Sequence, residues 1–334
     1  MQIQLRIFTC LLLCLASWSA HADLVLNATG IADGFSITSF VTGFPVSSFG
    51  YGPTATTYTF NGQILVGDSF GNIYLFNDTN GQSVGDALAV HSFASGPLTT
   101  SLTTLNGTVY VGGNPGGVGV INSLSNSVGV IYSLNNDGSV NALLVNGNVG
   151  GVGGLVGNPT NDHLYTDTNI DPGHNIADID VATRSVTLYP GFGGSANSLS
   201  LNDQTLYVSH VPGGIAYNTN DFSQTDVLPV VGPFGTIPIG QFAGDLLSYD
   251  SFGTEDLYLT NPITDTTTVI ASNINGIAGG TSIELDANND TFLITLGDHI
   301  DRISLSPVPE PSSLALIASG LLALFALLWL RHHV

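Results

Sequence analysis

An all-β body of six repeated four-stranded units closed into a ring, a six-bladed β-propeller with seven blades as the alternative count, is the fold this sequence predicts. Three observations predict it. Short β-branched and aromatic runs recur behind turn signals at a spacing of about 40 to 55 residues. Each reads as a hairpin with further strand-like runs behind it. No stretch of the middle carries the 3.6-residue apolar period of a long helix. Apolar segments flank the body at both ends, an N-terminal signal peptide and a C-terminal transmembrane helix.

The first element is MQIQLRIFTCLLLCLASWSAHA. Arg6, the apolar run Ile7 to Leu15, and Ala20 and Ala22 around His21 supply the basic, greasy and small-residue regions that a secretory peptidase reads. Residues 1–22 are therefore a signal peptide cut before Asp23, and the protein is exported across the inner membrane. Cys10 and Cys14, the only cysteines, both lie in this segment, so the body at 23–306 folds without disulfides. Leu13 precedes Cys14 where a lipid-attachment site requires a small residue, which argues against a lipoprotein.

Within the body the hairpin signals are FNGQILVGD (60–68), LNGTVYVGG (105–113), NPTNDHLYTDT (158–168), LNDQTLYVSH (201–210), AGDLLSYD (243–250) and DANNDTFLITLGD (286–298). Third runs follow as GNIYLFN, VGVIYSLN, HNIADIDV, GGIAYNT, EDLYLTN and HIDRISLS. Fourth runs follow in most units, among them DALAVHSF, VNALLVN and SVTLYPG. Unit six lacks its own fourth run, and the strand-like N-terminal segment from Leu24 to Val41 would fill that edge and close the ring. The long second unit contains VGVINSLSNSVGVIYSL, which reads as an inserted hairpin.

These units resemble the six-bladed propellers of the NHL and gluconolactonase-like kind, through HLYTDT with NIADID and TLYVSH with GIAYNT. The resemblance covers roughly residues 24 to 306 and implies architecture more than chemistry, because the fold hosts many functions. Known propeller lactonases of that kind hold a metal with an inner-strand Glu together with Asn and Asp. Here the first inner strand, ATTYTF, has no Glu, and Glu284 is placed toward the far end of its own strand.

The chain of 334 residues has 25 acidic against 4 basic residues, a net charge of −21, and no lysine. Nucleic acid is excluded as a partner, because phosphate recognition needs cations that this surface lacks. Divalent cations, neutral glycans or a hydrated matrix suit it. Asp is equally a turn residue, and net charge keeps an exported protein soluble.

Three motifs are weighed and set aside. GDSFG (67–71) fits the nucleophile elbow G-x-S-x-G, but Ser69 lies between two strands where the elbow needs a strand entering a helix, and Asp-Ser-Phe-Gly recurs at 250–253. GNVGGVGGLVGN (147–158) lacks the glycine spacing and helix of a dinucleotide site and reads as close backbone packing near the ring axis. DANND (286–290) lacks the Gly and bidentate Glu of a calcium loop. No catalytic residue is assigned. If each unit runs from an inner strand outward, the loops after second strands and before first strands share one rim. That rim gathers Asp68, Asp167, Asp171, His174, His210, Asp250, Glu255, Asp298 and His299. No cofactor is required by this set, though its carboxylates and imidazoles would suit a divalent cation such as calcium. Six polar loops on any propeller face would also collect such residues by chance.

The last element is residues 307–334. Leu314 to Leu330 gives 17 apolar or small residues, about 25 Å as a helix, enough to cross a bilayer. Arg331 biases that end to the cytoplasm and leaves the body outside. Immediately upstream stands Val308-Pro309-Glu310-Pro311, whose prolines hold Glu310 extended and out of the helix. The combination resembles the PEP-CTERM sorting signal of exported proteins in Gram-negative, exopolysaccharide-making bacteria. That resemblance implies a membrane-held substrate that an exosortase cuts near Pro309-Glu310-Pro311 and passes to the cell surface or extracellular matrix. Arg331 is a single basic residue where members carry several.

The sequence therefore points to a non-enzymatic surface or matrix protein whose partners are an exosortase and exopolysaccharide or matrix glycans. The alternatives are a secreted metal-dependent hydrolase or lyase, lactonase-like, and an uncleaved membrane-anchored adhesin.

Overall fold

The computed structural model describes residues 24–47, 50–92, 98–114, 129–147, 149, 152–168, 175–190, 196–210, 213–229, 232–250, 253–273, 282–286 and 291–305. The chain begins with β1 (Leu24–Leu26), helix α1 (Ala28–Ala32) and β2 (Phe35–Thr42). Blade one holds β3 (Pro53–Tyr58), β4 (Ile64–Asp68), β5 (Asn72–Phe76) and β7 (Ala89–Ser92), with the short β6 (Gln82–Ser83) looping outside it. Blade two is β8 (Leu98–Leu105), β9 (Thr108–Asn114), β10 (Val130–Leu134) and β11 (Val140–Asn146). Blade three is β12 (Val152–Asn158), β13 (His163–Thr168), β14 (Asn175–Asp180) and β15 (Val186–Pro190). Blade four is β16 (Ala196–Asn202), β17 (Thr205–His210), β18 (Gly213–Asn218) and β19 (Gln224–Leu228). Blade five is β20 (Phe234–Thr236), β21 (Leu246–Tyr249), β22 (Asp256–Asn261) and β23 (Thr266–Asn273). Blade six is β24 (Ile283–Asp286), β25 (Thr291–Leu296) and β26 (His299–Leu305).

The first strands pack side by side in a closed ring, β3 against β8, then β12, β16, β20, β24 and back to β3. The six-bladed propeller is thus the fold. Second strands run into third strands on one face, the rim. First strands run into second, and third into fourth, on the opposite face.

Ring closure follows the expected route. β2 pairs antiparallel with β26, from Phe35 opposite Leu305 to Thr42 opposite His299, and so supplies the fourth strand of blade six. β6 then adds in parallel to β2. β1 was read as part of the same closing segment but joins blade five instead, pairing with β23. The turn between the two is α1, capped by Asn27, whose side chain accepts from Gly30 N at 2.9 Å and donates to Val269 O at 2.7 Å. One N-terminal segment therefore ties two neighbouring blades.

The second and third strands are buried on both surfaces, which is why they read as near-continuous apolar runs, while fourth strands such as β7 and β11 stay largely exposed. Period-two alternation sends successive residues to different neighbours. Ile64 and Val66 pack toward blade six, while Leu65 between them packs toward blade two. Leu206 and Val208 face blade three, and Tyr207 faces blade five. Six apolar clusters result, one between each adjacent pair of blades. A fully buried Ile or Phe in them contributes about 1.5–3 kcal/mol relative to exposure.

Turn chemistry matches the hairpin signals. Asn106 and Gly107 both have positive φ, 48° and 78°, as a two-residue type I′ turn requires. A second turn pattern, between third and fourth strands, escaped the sequence reading. Asp180, Asn218 and Asn261 each start a loop whose fifth residue, Arg184, Phe222 or Asp265, has positive φ. In each the side chain of the first residue accepts from main-chain N–H two residues on. Gly157, in the glycine-rich stretch, lies in β12, where an added Cβ would stand 2.9 Å from Leu105 Cβ of blade two. Close packing between inner strands is therefore the role of that glycine. Most of the inserted hairpin expected in unit two lies outside the described residues.

Candidate functional site

The rim carboxylates are best understood one turn at a time. Asp68 ends β4 and is fully buried. It accepts from Phe70 N at 2.9 Å, Asn72 N at 2.8 Å, Asn72 Nδ2 at 2.8 Å and Tyr74 Oη at 2.9 Å. Burial, and then the Asp68 charge, pushes the Tyr74 phenol well above its usual range. Ser69 beside it is buried too, and its Oγ donates to Tyr51 O at 2.7 Å. Asp68 and Ser69 thus build the β4–β5 turn, and the hydroxyl of the G-x-S-x-G match is engaged by main chain.

The equivalent position in blade five is Asp250, whose carboxylate accepts from Thr254 N at 3.1 Å. Glu255 follows with φ 57° and hands its carbonyl to Asn273 N at 3.1 Å. In blade six, Asp298 Oδ1 lies 3.1 Å from His299 Nδ1, and His299 Nε2 lies 3.8 Å from Asp301 Oδ2. His299 and Asp301 are both buried, so this imidazole sits beneath the rim rather than on it. Asp167 is the last but one residue of β13 and His210 ends β17, the corresponding strands of blades three and four, with side chains outside the described residues. Asp171 and His174 lie outside them altogether, as do the cleavage residues Ala20, Ala22 and Asp23. Among the described residues no three acidic, imidazole or thiol side chains converge in a way that could hold a metal.

The inner strands carry a different chemistry. Hydroxyls link neighbouring blades: Thr57 to Thr104 at 3.0 Å between blades one and two, and Ser200 to Thr236 at 2.8 Å between blades four and five. Thr103 Oγ1 accepts from Gly157 N at 3.2 Å between blades two and three. β24 carries the acidic exceptions among these strands, Asp286, which pairs with Arg302, and Glu284. Glu284 is the second residue of β24, near the rim end, which corrects its expected placement at the far end. Part of its surface stays accessible, yet protein surrounds it, and this enclosure holds its carboxyl well above the usual range. Tyr58, on the neighbouring inner strand, is pushed up by burial, then by Asp286 and Glu284.

Two features were not singled out from the sequence. Arg302, buried in β26, contacts Asp78, Asp286 and Asn80. His163 meets Asp178 at 2.6 Å, and burial raises the Asp178 carboxyl while His163 partly offsets it. Period-two patterning marks such residues as buried but gives no sign of their partners.

Comparison with known proteins separates body from tail. No curated protein matches the chain. Solved structures match in fold in large number, 1074 chains, so the architecture alone discriminates between no functions. A chain of a structure described as "Crystal Structure of Mitotic Checkpoint Complex" is 9% identical, with 78% of this chain and 76% of that one covered at a TM-score of 0.53. At that identity the likeness concerns fold only. The tail is specific: residues 307–331, which include Pro309, Glu310, Pro311 and Arg331, match the family model described as the PEP-CTERM protein-sorting motif. Behind a six-bladed propeller, this chain carries the sorting motif of an exported protein that an exosortase handles at the membrane.

Proposed function

We propose that the exported propeller is a non-enzymatic binding or structural component of the cell surface or extracellular matrix. In this reading, residues 1–22 direct export, residues 23–306 form the functional body, and residues 307–334 hold the precursor in the membrane until an exosortase releases it. The carrying observation is the sorting motif at 307–331 behind a body whose most enzyme-like groups, Asp68 and Ser69, are engaged in a turn. The excess of acidic residues over arginine favours hydrated, neutral partners such as exopolysaccharide over polyanions.

The test is made in a host that expresses the matching exosortase. With Pro309, Glu310 and Pro311 replaced together by Ala, the protein is expected to stay in the membrane fraction with Leu314 to Leu330 attached, as shown by mass spectrometry of the C-terminus. Wild-type protein recovered outside the cell should lack that helix. A released wild-type product that keeps it would overturn the reading, and an intact chain retained at the surface would instead support the uncleaved adhesin.

Glu284 favours a second reading, a secreted hydrolase or lyase, because a carboxyl whose titration burial pushes upward, near the rim end of an inner strand, suits a general acid. Such an enzyme would lose turnover in Glu284→Gln while keeping its fold. The rim set Asp167, Asp171, His174, His210, Asp250 and Glu255 would then be tested for calcium by metal analysis of the released body and of its Asp250→Asn variant.

A further inference from the structure

We propose that, before release, the propeller lies with one particular face against the lipid bilayer, dipping Phe60, Ile239 and Ile263 into the interface. The inference rests on the membrane-held stage implied by the sorting motif, and it adds an orientation and a lipid-contact surface. Three observations carry it.

The first is where the chain leaves the ring. Leu305 ends β26 opposite Phe35, at the start of β2, on the face away from the rim. Only Ser306 to Ser313, eight residues, separate it from the apolar run starting at Leu314, a reach of at most about 29 Å even fully extended. Turning the rim toward the membrane would oblige this linker to pass outward over β2 and then climb the height of β26. The climb alone is about 23 Å along the strand, so that route would consume most of the extended linker, whereas a bilayer under the exit face is met at once.

The second is which side chains stand on the exit face. Phe60, in the β3–β4 turn of blade one, is 78% exposed. Ile263, in the β22–β23 turn of blade five, is 91% exposed, and Ile239, in the β20–β21 connection, is 56% exposed. Ile31 of α1 is 62% exposed, and the neighbouring Asp33 carbonyl accepts from Gln241 of the β20–β21 connection at 3.0 Å. Large apolar side chains at turn tips are costly in water and suited to the headgroup boundary.

The third is their distribution. They belong to blades five and one and to α1, flanking blade six, from which the tethered chain departs. Acidic turn tips of the same face are concentrated in blades two, three and four, at Asp137, Asp162, Asp180, Asp203 and Asp221, while blade five carries Asp265 two residues beyond Ile263. The face therefore gathers its most exposed large apolar tips beside the tether and most of its acidic tips away from it, which tilts it so that the tether side meets the bilayer and the more acidic side stays in water. Among the described residues the one arginine of this sector, Arg302, is buried and ion-paired, so the contact is with the apolar boundary of the membrane and not with headgroup charge.

The full-length chain carrying Cys10→Ser and Cys14→Ser, with one new cysteine at a time, is labelled with an environment-sensitive dye and reconstituted in phosphatidylcholine vesicles. The positions are Phe60→Cys, Ile239→Cys and Ile263→Cys, with Phe70→Cys, 52% exposed in the rim-face β4–β5 turn, as control. Brominated lipid is expected to quench the first three at least threefold more than the control, and less so when anionic lipid is added at low salt. Flotation with the vesicles is measured on the same samples. Flotation with no quenching at positions 60, 239 and 263, or with equal quenching at 70, overturns the docking face and leaves membrane holding intact. Failure to float overturns the membrane-held stage and the inference together. Dye–dye energy transfer that rises with protein density, without lipid quenching, assigns the face to a second copy of the chain and also overturns the proposal.

Discussion

Arg302 Nη2 stands 3.2 Å from Asp286 Oδ2 across blade six, and the same guanidinium reaches Asp78 and, at 3.0 Å, Asn80 of blade one. Its carbon lies 4.7 Å from the centre of the Phe40 ring in β2, the strand that closes the propeller. One buried cation thus touches the third and first strands of blade six, its borrowed fourth strand and the blade next door. The body has only one other basic residue besides histidine, Arg184.

Replacing Arg302 by Met leaves Asp286 buried without its cation, and removal of one partner from such a network costs about 3–5 kcal/mol. The expected outcome is a large fall in the urea midpoint of the isolated body. Adding Asp286→Asn to Arg302→Met should recover part of the loss, since the amide carries no charge to leave uncompensated. No recovery in the double variant would show that packing on Phe40, and not charge, is what Arg302 supplies.

Glu284 predicts a pH dependence of opposite sign to that of most carboxylates. Burial raises its folded-state pKa above the unfolded value, so the native chain holds a proton that the unfolded chain has already lost. Stability contributed by this group is present below the ordinary carboxyl range and is lost as pH rises through it toward the raised value. Glu284→Gln should therefore match wild type in thermal midpoint near about pH 4 and exceed it at about pH 8. Superimposable midpoint curves would mean that the ionised carboxylate finds a compensating partner inside the ring.

At the rim, Asp68 and Ser69 should separate structure from chemistry. Asp68→Ala strips the acceptor from Asn72 and Tyr74 and is expected to cost about 2–3 kcal/mol. Ser69→Ala loses one bond to Tyr51 O and should cost about 1 kcal/mol. Any esterase activity of the released body should survive Ser69→Ala unchanged, and its abolition with the fold intact would restore the nucleophile reading.

Two glycines with positive φ should differ sharply. At Gly232, φ is 120° and a methyl group would collide with the Tyr249 carbonyl, so Gly232→Ala should displace β20 from β21 and unfold cooperatively at much lower urea. Gly240 has φ 87° with open space around it, so Gly240→Ala pays only backbone strain, about 1 kcal/mol. Equal losses in the two variants would remove the steric argument.

Legibility in the sequence followed the range of the interaction. Strands such as ILV at 64–66 and LYV at 206–208 were readable because burial on both faces writes itself as continuous apolar runs, and Asn106-Gly107 because a type I′ turn needs those residues. That β2 closes blade six was readable from a missing fourth run. That β1 crosses to blade five was not, because Leu24–Leu26 has no pattern that names β23 as its neighbour. Rim positions such as Asp68 and His299 were located by counting strands, but their burial was hidden, since period and spacing say nothing about depth below a loop. The partners of Arg302 were hidden for a related reason: Asp78 lies 224 residues away along the chain and joins it only when the ring closes.

Closure itself gives the last prediction. β26 has β25 on one side and β2 on the other, so a chain lacking residues 24–42 would present the β2-facing N–H and C=O groups of β26 to solvent, and β23 would lose β1. It would also lose Phe40 and Val41 from the cluster between blades six and one, and Phe35 from the cluster between blades five and six. An open ladder beside an uncovered apolar face is a template for pairing with another chain. The truncated body should therefore associate or precipitate at concentrations where the intact body stays monomeric by light scattering. A peptide of residues 24–47 added during refolding should suppress that association, because register is fixed by Phe35, Ile37 and Val41 facing Leu305, Ile303 and Ile300. Substituting Asp for Ile37 and Val41 in the peptide should abolish the rescue. A truncated body that remains monomeric and unfolds at the wild-type midpoint would show that the six sheets hold their circle without the borrowed strand.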